Sequence, residues 1–208
     1  MSVWVGGSGK AMVGASSQDD QAPGPAFTEA WRQRVEALVR SDRFEHIERV
    51  TALALEIGRS NGFSASELEQ VELAGMLHDA ARDLPEDELL RLAPPEYEVE
   101  VRHPLAVHGR AAVALARSWG VTDPVVLGAI EGHVWGVDPS DRIGMAVYVA
   151  DVSEPARGVN AAIRHLAMTD LSAAYRQAVA SKVHYLEGAG IEVHPTTRKT
   201  YEALHEAS

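Results

Sequence analysis

Ile143-Gly144-Met145-Ala146-Val147-Tyr148-Val149-Ala150-Asp151 is the stretch on which the fold turns. An uninterrupted apolar run leads straight into a carboxylate, so every face of the segment avoids water, and it reads as the central buried helix, ending at Asp151. Its neighbours carry helix signals as well. Asp123 followed by Pro124 is an N-cap with a first-turn proline, opening a helix through Val126, Leu127 and Ile130. A helix is predicted from near Pro104 to Trp119, closed by Gly120. Further upstream, Ser66 with Glu69 forms a capping box before an apolar stretch that runs to Leu77. Phe44, Ile47, Val50, Ala54 and Ile57 recur at helical spacing until Gly62 stops them. Later helices are predicted over Val159–Ala167, Leu171–Glu187 and Thr196–Ala207. No alternating strand pattern and no repeat of fixed period intervenes, so the fold class is all-α, a single helical bundle over residues 27–208. From Met1 to Ala26 the chain is rich in Gly, Ser, Ala, Gln and Pro, has Trp4-Val5 as a large apolar pair, and is predicted to be a flexible leader.

Composition bounds the chemistry. With 208 residues, 46% of them hydrophobic, the chain can bury one core. Cysteine is absent, which excludes disulfides, iron–sulfur clusters and thiolate zinc sites, so any metal is held by nitrogen and oxygen. No apolar run approaches the ~20 residues that span a bilayer, and the N-terminus lacks a secretory layout, so a cytoplasmic protein is expected. Lys and Arg number 19 against 30 Asp and Glu, a formal net charge of -11 that repels nucleic-acid polymers and anionic membranes. A small polyphosphate stays within reach, because bound divalent cations reverse the local potential.

The informative feature is where histidines and carboxylates fall on the apolar stripes. His46 shares a face with Val50, Leu53 and Ile57; His108 with Ala112 and Leu115; His133 ends the face of Val126 and Ile130. His78 and Asp79 follow Ala74, Met76 and Leu77 directly, and Asp151 ends the central run. A lone histidine on a core face is more often a hydrogen-bonded core residue than a ligand, and Asp79 or Asp151 alone could simply end a helix. Six such groups together are harder to explain that way, since unpaired buried carboxylates are costly and metal ions neutralise several at once. Four imidazoles with two carboxylates suit iron, manganese, cobalt or zinc better than calcium. Weaker candidates are His103, before Pro104, which touches substrate or helps start a helix, and Trp135, which stacks on a base or packs locally. His165, His184, His194 and His205 share no apolar context and are predicted to be solvated.

His46, the His78-Asp79 doublet and the distant Asp151 resemble the H…HD…D signature of HD-domain phosphohydrolases. The text around them, Phe44-Glu45-His46, Leu77-His78-Asp79-Ala80-Ala81-Arg82-Asp83-Leu84-Pro85, His108-Gly109, His133 and Tyr148-Val149-Ala150-Asp151-Val152-Ser153-Glu154-Pro155-Ala156-Arg157, is similar to the YqeK-like symmetrical bis(5′-nucleosyl)-tetraphosphatases. The likeness covers roughly residues 40–185. It implies an HD-domain bundle that cleaves diadenosine tetraphosphate into two ADP through a metal-activated water at a two-metal centre, with iron the favoured metal. One departure is Arg82, where the family usually has lysine: the charge is kept, but a planar fork replaces a compact ammonium.

On that resemblance His46, His78, Asp79 and Asp151 are assigned to one metal, with Asp79 bridging to a second held also by His108 and His133. Arg82 and Arg157 are expected to neutralise phosphate charge, acting with Asp79 as catalytic residues, and with His103 to bind substrate. For each arginine the bland alternative is a surface ion pair, Arg82 with Asp79 or Glu86 and Arg157 with Glu154. A nucleotide monophosphatase, a cyclic-dinucleotide phosphodiesterase, a non-catalytic nucleotide sensor and a helical adaptor are the rival functions. The phosphodiesterase is disfavoured because His108-Gly109-Arg110-Ala111 is not followed by the Gly-Tyr-Pro element of that branch. The expected partners are a small nucleotide and, as an open alternative, a second copy of the chain in a homodimer.

Overall fold

A computed structural model describes residues 25–206 of the chain. Residues 1–24, which hold most of the expected leader and its Trp4-Val5 pair, lie outside the described residues, and Pro25 and Ala26 already open the first helix. Among the described residues the fold is wholly helical. In chain order the helices are α1 (Pro25–Glu36), α2 (Ser41–Ser60), α3 (Ala65–Leu77), α4 (Glu86–Leu92), α5 (Glu98–Arg102), α6 (His108–Ser118), α7 (Pro124–Trp135), α8 (Arg142–Ser153), α9 (Ala161–Ala167), α10 (Leu171–Gly188) and α11 (Pro195–Glu206), with 3-10 turns over Pro104–Val107 and Pro155–Arg157.

The apolar run that announced the central helix is α8, and every residue from Ile143 to Ala150 is buried. It starts where Asp141 accepts a hydrogen bond from the Gly144 amide at 2.9 Å and continues one turn-fraction past Asp151, to Ser153. Helices α2, α3, α7, α9 and α10 all pack on it, which is why a segment with no polar face is tolerated. The Asp123 cap of α7 forms as predicted, accepting from the Val125 amide at 2.8 Å ahead of Pro124.

Two local readings shift. The capping box of α3 uses Ser64 and Glu67, not Ser66 and Glu69: the Ser64 amide donates to Glu67 at 2.7 Å and the Glu67 amide to the Ser64 hydroxyl at 3.3 Å. Both frames fit the same four-residue pattern. The earlier one also sets Phe63 just before the cap and Leu68 in the first turn, both lying against Gly58 of α2 as a hydrophobic staple requires. The helix expected from Pro104 begins as a 3-10 turn and becomes α-helical only at His108.

Helices α1, α4 and α5 were not foreseen. Of the described side chains of α1, Trp31 and Val35 lie in the core, Trp31 stacking on Trp119 with ring centres 5.9 Å apart, and α4 and α5 are too short for an apolar period to show. No helix among the described residues is long and apolar enough to cross a membrane.

Candidate metal centre

Close helix contacts, set by two glycines, bring the six predicted groups together. A Cβ on Gly75 of α3 would lie 3.0 Å from the Thr51 hydroxyl and 3.1 Å from its Cα, so α3 presses on α2 and His78, one turn on, comes beside His46, ring centres 5.7 Å apart. A Cβ on Gly109 would lie 2.8 Å from the Glu131 carbonyl oxygen, so the start of α6 closes on the end of α7 and His108 meets His133, ring centres 4.9 Å apart. Helix α3 ends at Leu77, and the chain continues in tight turns, Ala80 N to Leu77 O at 3.1 Å and Arg82 N to Asp79 O at 2.9 Å. Across these turns adjacent His78 and Asp79 both reach the same point.

Three histidines are held in one way. His78, His108 and His133 each donate Nδ1–H to the carbonyl three residues earlier, of Gly75 at 2.7 Å, Leu105 at 2.6 Å and Ile130 at 2.6 Å. His46 instead turns Nδ1 to the Glu154 carboxylate at 3.2 Å. A neutral imidazole with its proton fixed on Nδ1 carries a lone pair on Nε2. All four Nε2 atoms face the centre.

There His46 Nε2 lies 3.1 Å from Asp151 Oδ1 and 3.8 Å from Asp79 Oδ2. His78 Nε2 is buried with no hydrogen-bond partner, 3.8 Å from Asp79 Oδ2 and 4.0 Å from Asp151 Oδ1. Asp79 Oδ1 sits 3.2 Å from His108 Nε2 and 3.5 Å from His133 Nε2, which are 3.0 Å from each other. The two oxygens of Asp79 thus divide the cluster, one toward His46 and His78 and the other toward His108 and His133. Lone pairs converging at such distances repel unless a cation lies among them, so the donor set fits metal binding. His46, His78 and Asp151 form one group of ligand atoms able to hold an ion, and His78, Asp79 and His133 another.

Electrostatics prepare the same state. Complete burial pushes the His78 pKa from 6.5 down to about 4, against the pull of Asp79, and burial lowers that of His108 too. Burial also opposes ionisation of Asp79 and Asp151, but neighbours outweigh it. When an Nε2 carries a proton instead, His78 with hydrogen bonds from His108 and His133 holds Asp79 well below the usual carboxylate range, and the His46 hydrogen bond, His78 and Arg157 do so for Asp151; a divalent ion would take the place of those protons. Neutral imidazoles beside ionised carboxylates are what a divalent ion requires.

The rim is cationic. Arg157 donates to Asp151 Oδ1 at 2.5 Å rather than to Glu154, whose arginine partner is Arg49 at 3.0 Å. Arg82 pairs with neither Asp79 nor Glu86 and has no side-chain hydrogen bond or ion pair among the described residues; burial lowers its pKa against the attraction of Asp79. The cation that does reach Asp79 is Arg43, Nη1 to Oδ2 at 2.9 Å. Arg43 and Glu154 were missed as contributors to the site. A basic residue one turn before His46 on its helix face was the available signal for the first, but the second needed knowledge of a contact 108 positions away in sequence.

Other expectations divide. His103 is exposed at the junction of α5 and the 3-10 turn, and His165, His184 and His205 are exposed. His194 is the exception to predicted solvation: it is 3% exposed, 3.2 Å from the buried Glu100 carboxylate, which Arg110 also grips at 2.8 Å. The same ring covers Trp135, centres 3.7 Å apart at 15°, so Trp135 packs locally instead of offering that face to a base.

The HD domain family matches residues 43–156, over half of the chain. The chain is 29% identical over 173 residues to a symmetrical bis(5′-nucleosyl)-tetraphosphatase of Bacillus subtilis, covering 80% of this chain and 91% of that protein. It is 31% identical over 126 residues, 59% of this chain, to a probable nicotinate-nucleotide adenylyltransferase/Ap4A hydrolase of Mycoplasma genitalium, but spans only 35% of that longer protein. Its fold is similar to the crystal structure of a Clostridium acetobutylicum protein described as a predicted HD superfamily hydrolase involved in NAD metabolism, with a TM-score of 0.79, 22% identity, and coverage of 86% of this chain and 97% of that one.

Proposed function

The chain belongs to the HD-domain family, and from that membership we propose that it is a metal-dependent phosphohydrolase that cleaves dinucleoside tetraphosphates symmetrically, diadenosine tetraphosphate giving ADP alone. The observation that carries the metal dependence is the convergence of four imidazole Nε2 atoms on two ionised carboxylates, with His78 Nε2 buried and otherwise unpartnered. We assign His46, His78, Asp79 and Asp151 to one ion, and His108 and His133 with the far oxygen of Asp79 to a second. Iron is the favoured ion, while manganese, cobalt and zinc suit the same ligands. When bound, such ions supply Lewis-acid polarisation of a phosphoryl oxygen and an acidified water.

The chain's own groups do the rest. Arg82, half-buried and without an ion-pair partner among the described residues, is a fixed cation whose natural complement is a phosphate oxygen. Arg157, bound to Asp151, sits where it can share its guanidinium between that carboxylate and the departing nucleoside diphosphate. The exposed His103 is assigned to substrate at the mouth of the site. The symmetric bond choice rests on the likeness to the Bacillus subtilis enzyme. The segment 27–208 is taken as the catalytic domain.

Chromatography of the products tests this reading. Metal-reconstituted protein incubated with diadenosine tetraphosphate is expected to release ADP as the sole nucleotide product. AMP plus ATP would overturn the bond assignment, and no turnover with any metal would overturn the activity.

A further inference from the structure

One cation near the centre has no role in the scheme above. Lys182 lies on α10, beyond the segment that the HD domain family matches, and it is half-buried in a chain of net charge -11. Among the described residues no carboxylate lies within ion-pairing distance of it. Its Nζ donates to the carbonyl oxygen of Val134, the residue after His133, and lies 5.7 Å from the Tyr148 ring centre and 6.0 Å from that of Trp135. Tyr148 stands one helical turn before Asp151, and its hydroxyl is buried without a hydrogen-bond partner. The ammonium also feels the Asp151 charge, which only partly offsets the burial that brings its pKa from 10.5 to about 8.

An ammonium has three N–H donors, and the Val134 carbonyl takes one. Among the described residues the other two find no acceptor, and Asp151, the carboxylate whose charge the ammonium feels, lies beyond ion-pairing distance. A strongly hydrated point charge that is half-buried with no anion in ion-pairing range is kept there at an energetic loss unless something anionic arrives. The end of α7 and the two aromatic rings favour a cation at this place, but none of them carries a charge that neutralises it. Arg82 and Arg157 reach the centre from other elements, the turn after α3 and the 3-10 turn after α8, so Lys182 adds positive charge from a third direction. A substrate with several linked phosphates has charge left over after the scissile bond has been placed at the metal ligands.

We propose that Lys182 anchors the phosphates beyond the scissile bond, so that the site selects linear polyphosphates over monophosphates. The inference rests on the phosphohydrolase reading and names the residue that sets its chain-length preference. The atoms recognised are phosphate oxygens, and the base plays no part in this contact.

Titration calorimetry of the metal-loaded protein with inorganic tripolyphosphate and with orthophosphate, at saturating metal, tests it. Lys182→Gln is expected to weaken tripolyphosphate binding by about tenfold or more while leaving orthophosphate within about twofold, and Lys182→Arg to keep most of the preference. Unchanged tripolyphosphate affinity in Lys182→Gln would overturn the proposal. So would equal weakening of both anions together with a lower Tm, which would mark a residue that only closes the end of α7. If the wild type cleaves no dinucleoside tetraphosphate yet binds tripolyphosphate in a Lys182-dependent way, the activity falls and the anchor stands. If it cleaves that substrate with the same KM in Lys182→Gln, the anchor falls and the activity stands.

Discussion

Replacing Glu154 with glutamine should weaken metal binding without touching a metal ligand. Glu154 is 2% exposed, and its carboxylate accepts from His46 Nδ1 at 3.2 Å, Arg49 Nε at 3.0 Å and the Ala156 amide at 2.8 Å. Glutamine keeps the volume and one acceptor oxygen, but its NH2 must face either the imidazole N–H or the guanidinium, donor against donor. The Arg49 side chain is 38% exposed, so water can replace what it loses; His46 is buried and has no such recourse. Groups that orient a ligating histidine are worth about 10–100-fold in metal affinity, or roughly 1.4–2.8 kcal/mol. The fold should survive with a lower Tm, since about 1–3 kcal/mol is the usual cost of one unsatisfied buried group. Chelator competition on metal-loaded protein reads the affinity, with Arg49→Ala as the control for the exposed partner. Affinity within about twofold of wild type in Glu154→Gln, alongside metal loss in His46→Ala, would refute the idea that Glu154 aims the ring.

His78→Ala and Asp79→Ala are each expected to abolish tight metal binding and turnover; wild-type metal content and rate in either would show that the central assignment is wrong. His108→Ala and His133→Ala should each lose about one metal ion per chain and most activity, and the double variant should be little worse than either single one, because the residues act as a unit. Elemental analysis paired with turnover decides this, and full occupancy in both single variants would leave these histidines as substrate contacts or core residues. In metal-free protein, stability should fall as pH drops from 6.5 to about 4, because the unfolded His78 takes a proton that the buried ring refuses until about 4. That contribution, complete above pH 6.5, is about 3 kcal/mol, and urea unfolding with no pH dependence across the window would contradict it.

Much of this is legible in the sequence. Helix α7 was marked by Asp123-Pro124 and α8 by eight buried positions in a row, signals that depend only on neighbours in the chain. Local ambiguity cost the α3 cap, where two serine–glutamate frames overlap and the choice between them is made by Phe63 packing near Gly58. In the site, ends of apolar faces pointed to His46, His78, Asp79, His108, His133 and Asp151, and the structure brings all six together. The partners behind and around them were not legible. Arg43 reaches Asp79 across 36 positions, Glu154 reaches His46 across 108, and His194 is buried by Glu100 across 94. Those contacts are fixed by how helices meet, which periodicity along one helix does not encode.

The most direct test of a metal centre at this cluster is anomalous X-ray diffraction from crystals of metal-loaded protein, recorded at the absorption edge of the ion found by elemental analysis. Anomalous density is predicted in the space enclosed by the Nε2 atoms of His46, His78, His108 and His133 and the carboxylates of Asp79 and Asp151. Loaded crystals with no peak there, or with the metal held only elsewhere on the protein, would contradict the account.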